Sequence, residues 1–383
     1  MINLEKWNLV FGLTLAILWI AVACIARAIK QGDRRWWGVA AGVGALSIVS
    51  LFFTGVARVV LLDTTALLAV ALVWLGGSSD AKKAARTYLF LLIPALVFIA
   101  LGMVLGGGNA AANSPAMKAA AILLIVGFGL KLALMPFYFW LPGVAETVPA
   151  LTTAVIVSIV DIASFSELVH LCETMAGLFE GYSAIWLGIG LLSMFGGALL
   201  ALAQKDLKRM LAFSTIDDLG YLILGLTVGG EVGLQGALFG ALSHAVCKVI
   251  LFGAVAVAEN RMGHSITLAD GGLAARFPVS GAAFIAGSLG MLGVPPTIGF
   301  LGRWRLYQTG VALGGAWLGI AMAAATALAL LYYVRAIHRV WLGPVQGESS
   351  NPEPGLSKMV LIVLVVAVVA LGIYPGLWTG LLR

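Results

Sequence analysis

Residues 127–142 read GFGLKLALMPFYFWLP, an apolar stretch that contains one cation, Lys131, and two prolines, Pro136 and Pro142. Proline has no backbone N–H and clashes with the preceding helical turn, so it breaks or kinks a helix. A cation inside an apolar helix is unfavourable by about 2.5–3.5 kcal/mol at the centre of a membrane. The stretch therefore predicts an interrupted membrane helix with Lys131 at the interruption.

The composition of the whole chain is that of a membrane protein. Of the 383 residues, 61% are hydrophobic and 10% are charged, whereas soluble domains carry about 25% charged residues. Apolar runs recur that are long enough to cross a hydrocarbon core of about 30 Å. No charged segment with a small-residue cleavage site opens the chain, so we expect the first span to be retained. Twelve spans are predicted, at roughly 6–26, 36–57, 59–77, 87–106, 118–139, 150–171, 184–203, 210–228, 234–258, 279–301, 310–334 and 359–380.

The positive charge is concentrated in alternate loops. The loops of a membrane protein that carry an excess of lysine and arginine lie on the cytoplasmic side. This pattern therefore places both termini outside the cytoplasm. The net charge of +6 is explained by this orientation signal and does not indicate nucleic acid as a partner. The basic set is Arg27, Lys30, Arg34, Arg35, Lys82, Lys83, Arg86, Lys205, Lys208, Arg209, Arg261, Arg276, Arg335, Arg339 and Lys358.

The sequence offers no site for redox or nucleotide chemistry of its own. Cys24, Cys172 and Cys247 are far apart and form no C-x-x-C pair, which argues against a cluster, a zinc site or a disulfide framework. Neither a P-loop nor a Rossmann fingerprint is present. The longest predicted loops, 259–278 and 335–358, are about 20 residues. We expect no catalytic residue, no cofactor and no metal, and any such chemistry would belong to a partner.

The opening motif has a partial repeat. GFGLK at 127–131 returns as GFLGR at 299–303, with Arg303 four residues after a glycine and the prolines Pro295 and Pro296 nearby. Interrupted helices at corresponding positions of two halves point to the ion site of a transporter. The two motifs are predicted to occupy corresponding places, with a cation at each.

Ionisable residues inside the predicted spans are the strongest functional signal. Left facing lipid, eight of them would cost on the order of 20 kcal/mol, which exceeds a typical folding stability of about 5–15 kcal/mol. They must therefore face one another or water. The eight are Asp63, Lys131, Asp161, Asp217, Asp218, His244, Lys248 and, near a span boundary, Arg303.

Several of these residues have a predicted partner or role. His244 and Lys248 are spaced i, i+4 and share a helix face, where they either pass a proton or anchor neighbouring helices through hydrogen bonds. Asp63 is predicted to pair with a cation such as Lys131, unless it is a simple helix-end residue. Asp161 is predicted to be a further relay or ion-pairing acid.

Asp217 and Asp218 follow the basic segment by two helical turns. They are predicted either to line a possible cytoplasmic inlet or to be solvated acids paired with Lys208 or Arg209. Charged residues inside a membrane span often mark an ion pathway.

With these residues placed, the chain resembles the antiporter-like, proton-conducting subunits shared by respiratory complex I, membrane-bound hydrogenases and multi-subunit sodium/proton antiporters. The resemblance runs from about residue 36 to 310. It rests on five ordered motifs: LLDTTALLAVALVW (61–74), GFGLKLALMPFYFWLPGVAETVPA (127–150), LAQKDLKRMLAFSTIDDLGYLILGL (202–226), LFGALSHAVCKVILFGAVAV (238–257) and GSLGMLGVPPTIGFLGRWRL (287–306).

The resemblance implies an all-α membrane protein with about twelve transmembrane helices and two inverted five-helix repeats, each with a broken helix. Within one polytopic domain, 1–383, it implies a first span and basic loop at 1–35, half-channel repeats at 36–172 and 184–345, and a last span at 356–383. The family core has two further spans at the amino end. The resemblance also implies a prokaryotic cytoplasmic (inner) membrane, lipid contacts and partner membrane subunits of antiporter-like, quinone-site or hydrogenase-like type.

Carried over residue by residue, Asp63 and Lys131 would be the acid and lysine of the first half-channel. Lys248, with His244, would lead to the second half, where Arg303 takes the place of a terminal lysine or, in one branch, a glutamate. Asp63 replaces the usual glutamate, Asp161 stands where the family has a lysine, and the family has small or weakly polar residues where this chain has 217–218.

The expected function is proton translocation as a non-redox membrane subunit of a complex-I-like, energy-converting oxidoreductase of NADH:quinone or membrane-bound hydrogenase type. Because an arginine does not release its proton in proteins, Arg303 is predicted to be a fixed electrostatic gate. Three alternatives remain: a sodium/proton antiporter subunit, a structural subunit that conducts nothing, and a subunit coupled to inorganic carbon uptake.

Overall fold

A computed structural model describes residues 4–107, 114–228, 230–345 and 352–376. These residues are helical throughout, apart from short connections and one isolated bridge between Asp206 and Thr267. The helices are α1 Leu4–Ala28, α2 Arg34–Ser50, α3 Gly55–Trp74, α4 Ser79–Gly106, α5 Pro115–Lys131, α6 Trp140–Thr147, α7 Ala150–Val155, α8 Asp161–Thr174, α9 Ala176–Glu180, α10 Ser183–Ala203, α11 Leu207–Val228, α12 Gly230–Met262, α13 Leu273–Arg276, α14 Pro278–Leu292, α15 Gly299–Ala336 and α16 Gly355–Ile373.

Two π-helical turns extend this set. Ile156–Val160 joins α7 to α8 in one continuous helix, and Ile337–Trp341 continues α15. Inside α15, Gly315 has φ 66° and ψ −157°, which interrupts the helix within the predicted span 310–334. A positive φ is cheap only for glycine, so this residue type permits the kink.

Each of the twelve predicted spans overlaps a helix. In the described part of the chain, nine helical stretches are long and apolar enough to cross a membrane, and each corresponds to one predicted span. The remaining three predicted spans correspond to α2, α5 and α14, which have 17, 17 and 15 residues. The predicted ends 57, 139 and 301 were wrong for these three helices. The last four positions of the predicted span 359–380 lie outside the described residues.

Several basic residues predicted in loops lie in helix ends. Lys82, Lys83 and Arg86 belong to the first turns of α4, and Arg335 belongs to the end of α15. The predicted loop 335–358 is consequently too long, because the helix and its π turn continue to Trp341. Long basic side chains keep their charge in water while their stems cover apolar surface, so a helix end suits them.

The first interruption lies where the opening motif places it. α5 ends at Lys131 and α6 begins at Trp140. At the end of α5, the indole Nε1 of Trp140 donates to the carbonyl of Leu130 at 2.9 Å. The freed N–H of Met135 donates to the Ser193 hydroxyl on α10 at 3.0 Å. The interrupted backbone is thereby satisfied inside the protein, as a membrane interior demands.

A second interruption separates α14 from α15, as predicted. Its backbone repeats the first with a shift of 160 residues. The peptide bonds before Pro136 and Pro296 are both cis, and Ala133 and Gly293 both have positive φ, 52° and 69°. Three hydrogen bonds correspond in the same way: 133 to 130, 134 to 129 and 137 to 134 in the first break, and 293 to 290, 294 to 289 and 297 to 294 in the second.

The core consists of α12, α11 and the continuous helix α7–α8. The spanning windows of these three helices are 100%, 94% and 89% buried, whereas those of α4 and α16 are only 22% and 28% buried. Helices that are surrounded by other helices can carry charge, because those neighbours supply the partners that lipid lacks. Most of the predicted charged residues lie on these buried helices or at the two breaks.

Candidate functional site

The first charged site is built around Lys131, the last residue of α5. Its ammonium Nζ donates to Glu167 Oε2 on α8 at 3.0 Å and to Asp63 Oδ1 on α3 at 3.3 Å. The side chains of Lys131 and Glu167 are each 2% exposed, and that of Asp63 is 23% exposed. The predicted pairing of Asp63 with Lys131 is confirmed, and Glu167 makes the pair a triad.

A second cation lies beside this triad. Arg58, near the start of α3, is buried, and its Nη2 donates to the Ser166 hydroxyl at 2.8 Å. Arg58 interacts electrostatically with Glu167. Two cations and two carboxylates therefore lie close together, which compensates charges that would otherwise be costly to bury.

The second charged site contains Arg303, the fifth residue of α15. Its Nη2 donates to Asp218 Oδ1 on α11 at 2.6 Å and to the carbonyl of Met291 at 2.8 Å. Its guanidinium carbon lies 3.7 Å from the centre of the Tyr221 ring. The guanidinium is held by a carboxylate, a carbonyl and an aromatic face, each of which suits a planar cation.

The two neighbouring acids of α11 have different partners. Asp218 Oδ2 lies 2.8 Å from His244 Nδ1, and Asp217 Oδ2 accepts from the Tyr332 hydroxyl at 3.0 Å. Asp217 is 3% and Asp218 is 7% exposed. The alternative of solvated acids paired with Lys208 or Arg209 was wrong.

The two basic residues of that alternative pair elsewhere. Lys208 forms a salt bridge with Glu259, and Arg209 forms one with Glu146. Asp217 and Asp218 are buried, so within the described residues their carboxyl groups do not open to solvent through an inlet. A role for them in an inlet stays a prediction.

His244 and Lys248 face the same neighbouring helix, α11. Lys248 is fully buried, and its Nζ donates to the Ser214 hydroxyl at 2.6 Å and to the Leu211 carbonyl at 2.9 Å. The shared face predicted from the i, i+4 spacing is confirmed. No carboxylate forms a salt bridge with Lys248 among the described residues, although the charges of Asp161 and Asp218 act on it.

Asp161 is a predicted site residue that forms no ion pair among the described residues. It follows the π turn of α7–α8, is 1% exposed, and has no hydrogen-bond partner for Oδ2. Within the described ranges it forms no salt bridge, so the expectation of an ion-paired acid was wrong. Its role as a relay acid stays a prediction, and π turns recur at functional positions of membrane helices.

The two acid–cation pairs occupy matching places. Asp63 lies on α3, two long helices before the break that follows α5. Asp218 lies on α11, two long helices before the break that follows α14, and Lys131 and Arg303 lie at the breaks themselves. The predicted correspondence of GFGLK with GFLGR was wrong in detail, because the shift of 160 residues aligns Lys131 with Met291. Lys131 precedes its break and Arg303 follows its own, yet Arg303 reaches back to the Met291 carbonyl. The second cation thus reaches the equivalent place from the opposite side of the break.

The sequence that builds these two charged sites matches a known family of membrane proteins. The family model described as NADH:quinone oxidoreductase/Mrp antiporter, TM, matches residues 42–329. The chain belongs to this family. Its two interrupted helices and buried charges lie inside the matched region.

Curated relatives of this family member include subunit N of bacterial NADH-quinone oxidoreductases. Identity to the Acidithiobacillus ferrooxidans protein is 30% over 272 residues, covering 70% of this chain and 56% of that one. For Desulforudis audaxviator it is 30% over 347 residues, covering 82% and 69%. For Chlorobium chlorochromatii it is 33% over 281 residues, covering 70% and 54%. The matched part of the chain thus spans about half to two thirds of the length of these relatives.

Two solved structures have the same fold. A chain of the Mrp complex from Dietzia sp. superposes with a TM-score of 0.90 at 20% identity, covering 98% of this chain and 82% of that one. A chain of Thermus thermophilus respiratory complex I with bound NADH gives 0.87 at 21% identity, covering 98% and 83%. The all-α architecture predicted from the sequence is confirmed.

Sequence reasoning missed several residues of the two sites. Glu167 lies in the same predicted span as Asp161, but nothing in its spacing connected it to Lys131 on another helix. Arg58 lies one residue outside the predicted span 59–77. Tyr221 and Tyr332 carried no signal, since aromatic residues are common in membrane helices.

Proposed function

We propose that this chain is a proton-translocating, antiporter-like membrane subunit of a complex-I-like, energy-converting complex. The observation that carries the proposal is the sharing of the Lys131 ammonium between Asp63 and Glu167 at the broken end of α5. A buried lysine between two carboxylates is a group whose proton can move when a neighbouring charge moves. The curated relatives named above are subunits of NADH-quinone oxidoreductases, and this supports partner membrane subunits for the present chain.

In the proposed mechanism this chain binds and passes protons, and its partners supply the driving reaction. Lys131 holds a proton between two carboxylates, and a change in charge nearby favours one carboxylate over the other. Lys248 and His244 continue the line of polar groups along α12 toward Asp218. Asp161 lies within Coulomb range of Lys248 and is a further station on this path.

The second charged site favours one alternative, in which the second half conducts nothing. Arg303 is held by Asp218, by the Met291 carbonyl and by the Tyr221 ring. A guanidinium keeps its proton under physiological conditions. In this alternative the second site is a structural ion pair.

The test compares Lys131→Ala with Lys118→Ala in the complex purified through a tag on this chain. Lys118 is an exposed residue near the start of the same helix. The complexes are reconstituted in liposomes, and proton uptake during turnover is followed with a pH-sensitive dye, with and without sodium ions. We expect Lys131→Ala to abolish proton uptake, because Asp63 and Glu167 lose the group that exchanges protons with them.

The Lys118→Ala complex should pump like the unmodified complex. Retained pumping by an assembled Lys131→Ala complex would overturn the proposal in favour of a structural subunit. A strict requirement for sodium ions would instead identify a sodium/proton antiporter subunit.

A further inference from the structure

A line of polar groups on α8 connects the first charged site with the end of that helix. We infer that Glu167 and His170 form a proton relay from Lys131 to the face of the protein where α8 ends, with Ser166 beside them on the same helix. The inference rests on the proposed function, and it adds the route by which the first site releases protons. By the charge pattern of the loops, that face is the non-cytoplasmic one.

Glu167 is the buried start of the relay. Its Oε2 accepts from Lys131 at 3.0 Å, while its Oε1 is buried and has no hydrogen-bond partner. Buried carboxylate oxygens almost always have a partner, so an unpartnered one calls for a functional explanation. The free oxygen gives Glu167 the capacity to take a proton on one side and pass it to a second group.

His170 is the next group along the helix. It lies three residues after Glu167 and four after Ser166, so the three side chains share one face over about 6 Å of helix axis. His170 is partly exposed, and α8 ends four residues later at Thr174. A neutral imidazole has one nitrogen that accepts a proton and a second that donates one, which is the requirement for a relay at a surface.

A small cavity adjoins the relay. Its volume is about 10 Å³, and it is lined by Ser166, Val169 and His170 of α8, by Leu238 of α12, and by Trp7, Asn8 and Phe11 of α1. This is about the space of one water molecule. Ser166, His170 and Asn8 offer that water three polar partners, which satisfies the usual requirement of two to four.

Arg58 provides a fixed charge at the same point. Its guanidinium donates to the Ser166 hydroxyl at 2.8 Å, and that hydroxyl donates in turn to the Ala163 carbonyl at 2.7 Å. The charge of Arg58 acts on both Glu167 and His170. Because arginine does not release its proton, Arg58 takes no part in the transfer itself. Its positive charge opposes the entry of metal cations, whereas a proton passes by the exchange of hydrogen bonds.

Each transfer in the relay conserves protons and charge. Lys131 gives a proton to Glu167 Oε2, which leaves a neutral amine and a neutral carboxylic acid. The carboxylic acid passes one proton to the unprotonated ring nitrogen of His170, three residues later on the same helix face, and Glu167 becomes a carboxylate again. The imidazolium then releases that proton to water at the surface, and the proton that recharges Lys131 comes from the opposite side.

The relay from Lys131 to His170 matters because the second charged site holds a cation that keeps its proton. Arg303 cannot release a proton and is held by Asp218 and the Met291 carbonyl. A release group near the first site therefore supplies an exit that the guanidinium of the second site does not.

The experiment compares His170→Ala with His264→Ala in the reconstituted complex. His264 is an exposed histidine on the basic face, between α12 and α13. We expect His170→Ala to slow proton pumping by at least about tenfold, since a positioned acid–base group contributes about 10²–10⁴ in rate. Imidazole added on the side where α8 ends should restore part of the rate, and His264→Ala should pump normally.

Unchanged pumping by His170→Ala, in a preparation where Lys131→Ala abolishes pumping, would overturn the relay and leave the proposed function intact. Pumping that survives Lys131→Ala would overturn the proposed function itself. A second measurement uses His170→Cys with Cys172→Ala, labelled by a membrane-impermeant maleimide. Labelling from the side where α8 ends supports the relay, and absence of labelling from that side overturns it.

Discussion

Lys131 and Arg303 are both buried cations at helix breaks, but their surroundings suit different tasks. The Lys131 ammonium is shared between Glu167 and Asp63, two groups that can each take its proton. The Arg303 guanidinium is fixed by a carboxylate, a carbonyl and a ring. A lysine changes its protonation state readily when buried, whereas an arginine does not. At the scale of single residues, the first site is therefore the one suited to proton exchange.

The two carboxylates of the first site should contribute unequally to stability. We expect Glu167→Gln to lower the free energy of unfolding by about 3–5 kcal/mol, the effect of breaking a buried ion pair. Asp63→Asn should cost only about 1 kcal/mol, because the Asp63 side chain is 23% exposed and that of Glu167 is 2% exposed. Denaturant titration of the purified protein in detergent measures both values.

A suitable control for this comparison is Glu173→Gln, which changes an exposed carboxylate on the same helix. It should change the free energy of unfolding by less than about 0.5 kcal/mol. Equal losses for Glu167→Gln and Asp63→Asn would contradict the ranking.

Among the helices, the two breaks share one backbone conformation, but the helices that follow them pack differently. Each break has a cis proline and a residue with positive φ at positions that differ by 160 residues. The helix after the first break, α6, has room around it at Gly143, where an added Cβ would meet nothing within 4 Å. The helix after the second break packs against α12, and an added Cβ at Gly302 would lie 2.6 Å from the Gly240 backbone nitrogen.

These two glycines give a matched pair of substitutions, since each is the fourth residue of the helix that follows a break. Gly302→Ala should destabilise the protein by about 1–3 kcal/mol, because α15 and α12 must move apart. Gly143→Ala should be neutral or stabilising by up to about 1 kcal/mol, since alanine favours a helix over glycine. Thermal unfolding in detergent compares them, and a loss of stability in Gly143→Ala but not in Gly302→Ala would contradict the packing described for α15.

At the scale of the whole molecule, the charged groups lie on helices that other helices surround. The spanning window of α12 is entirely buried, and α12 carries both His244 and Lys248. The lipid-facing helices, such as α16, carry few charges in their spanning windows. This division lets a chain with 61% hydrophobic residues retain a buried polar path.

The orientation of the whole molecule is open to a direct test. With Cys172→Ala as background, Thr174→Cys lies at the end of α8 and His264→Cys lies at an exposed position that follows α12. If the basic face is cytoplasmic, an impermeant maleimide should label position 174 in intact cells and position 264 only after permeabilisation. Labelling at position 264 in intact cells would reverse the assigned orientation.

The fold class, the places of both breaks and most of the charged residues of the sites could be predicted from the sequence alone. This was possible because lipid excludes unpaired charge and interrupted backbone, so that every lysine, aspartate or proline inside an apolar run is conspicuous. The pairing of Asp63 with Lys131 followed from the same reasoning, since each needed an opposite charge.

Only the tertiary structure decided which groups meet. It brought Glu167 and Arg58 to Lys131, clamped Arg303 between Asp218 and the Met291 carbonyl, and left Asp161 without an ion pair. Sequence spacing fixes neighbours along one helix, because the helical period is regular. Contacts between helices depend on how those helices rotate and cross, and this is set by side-chain packing over the whole molecule.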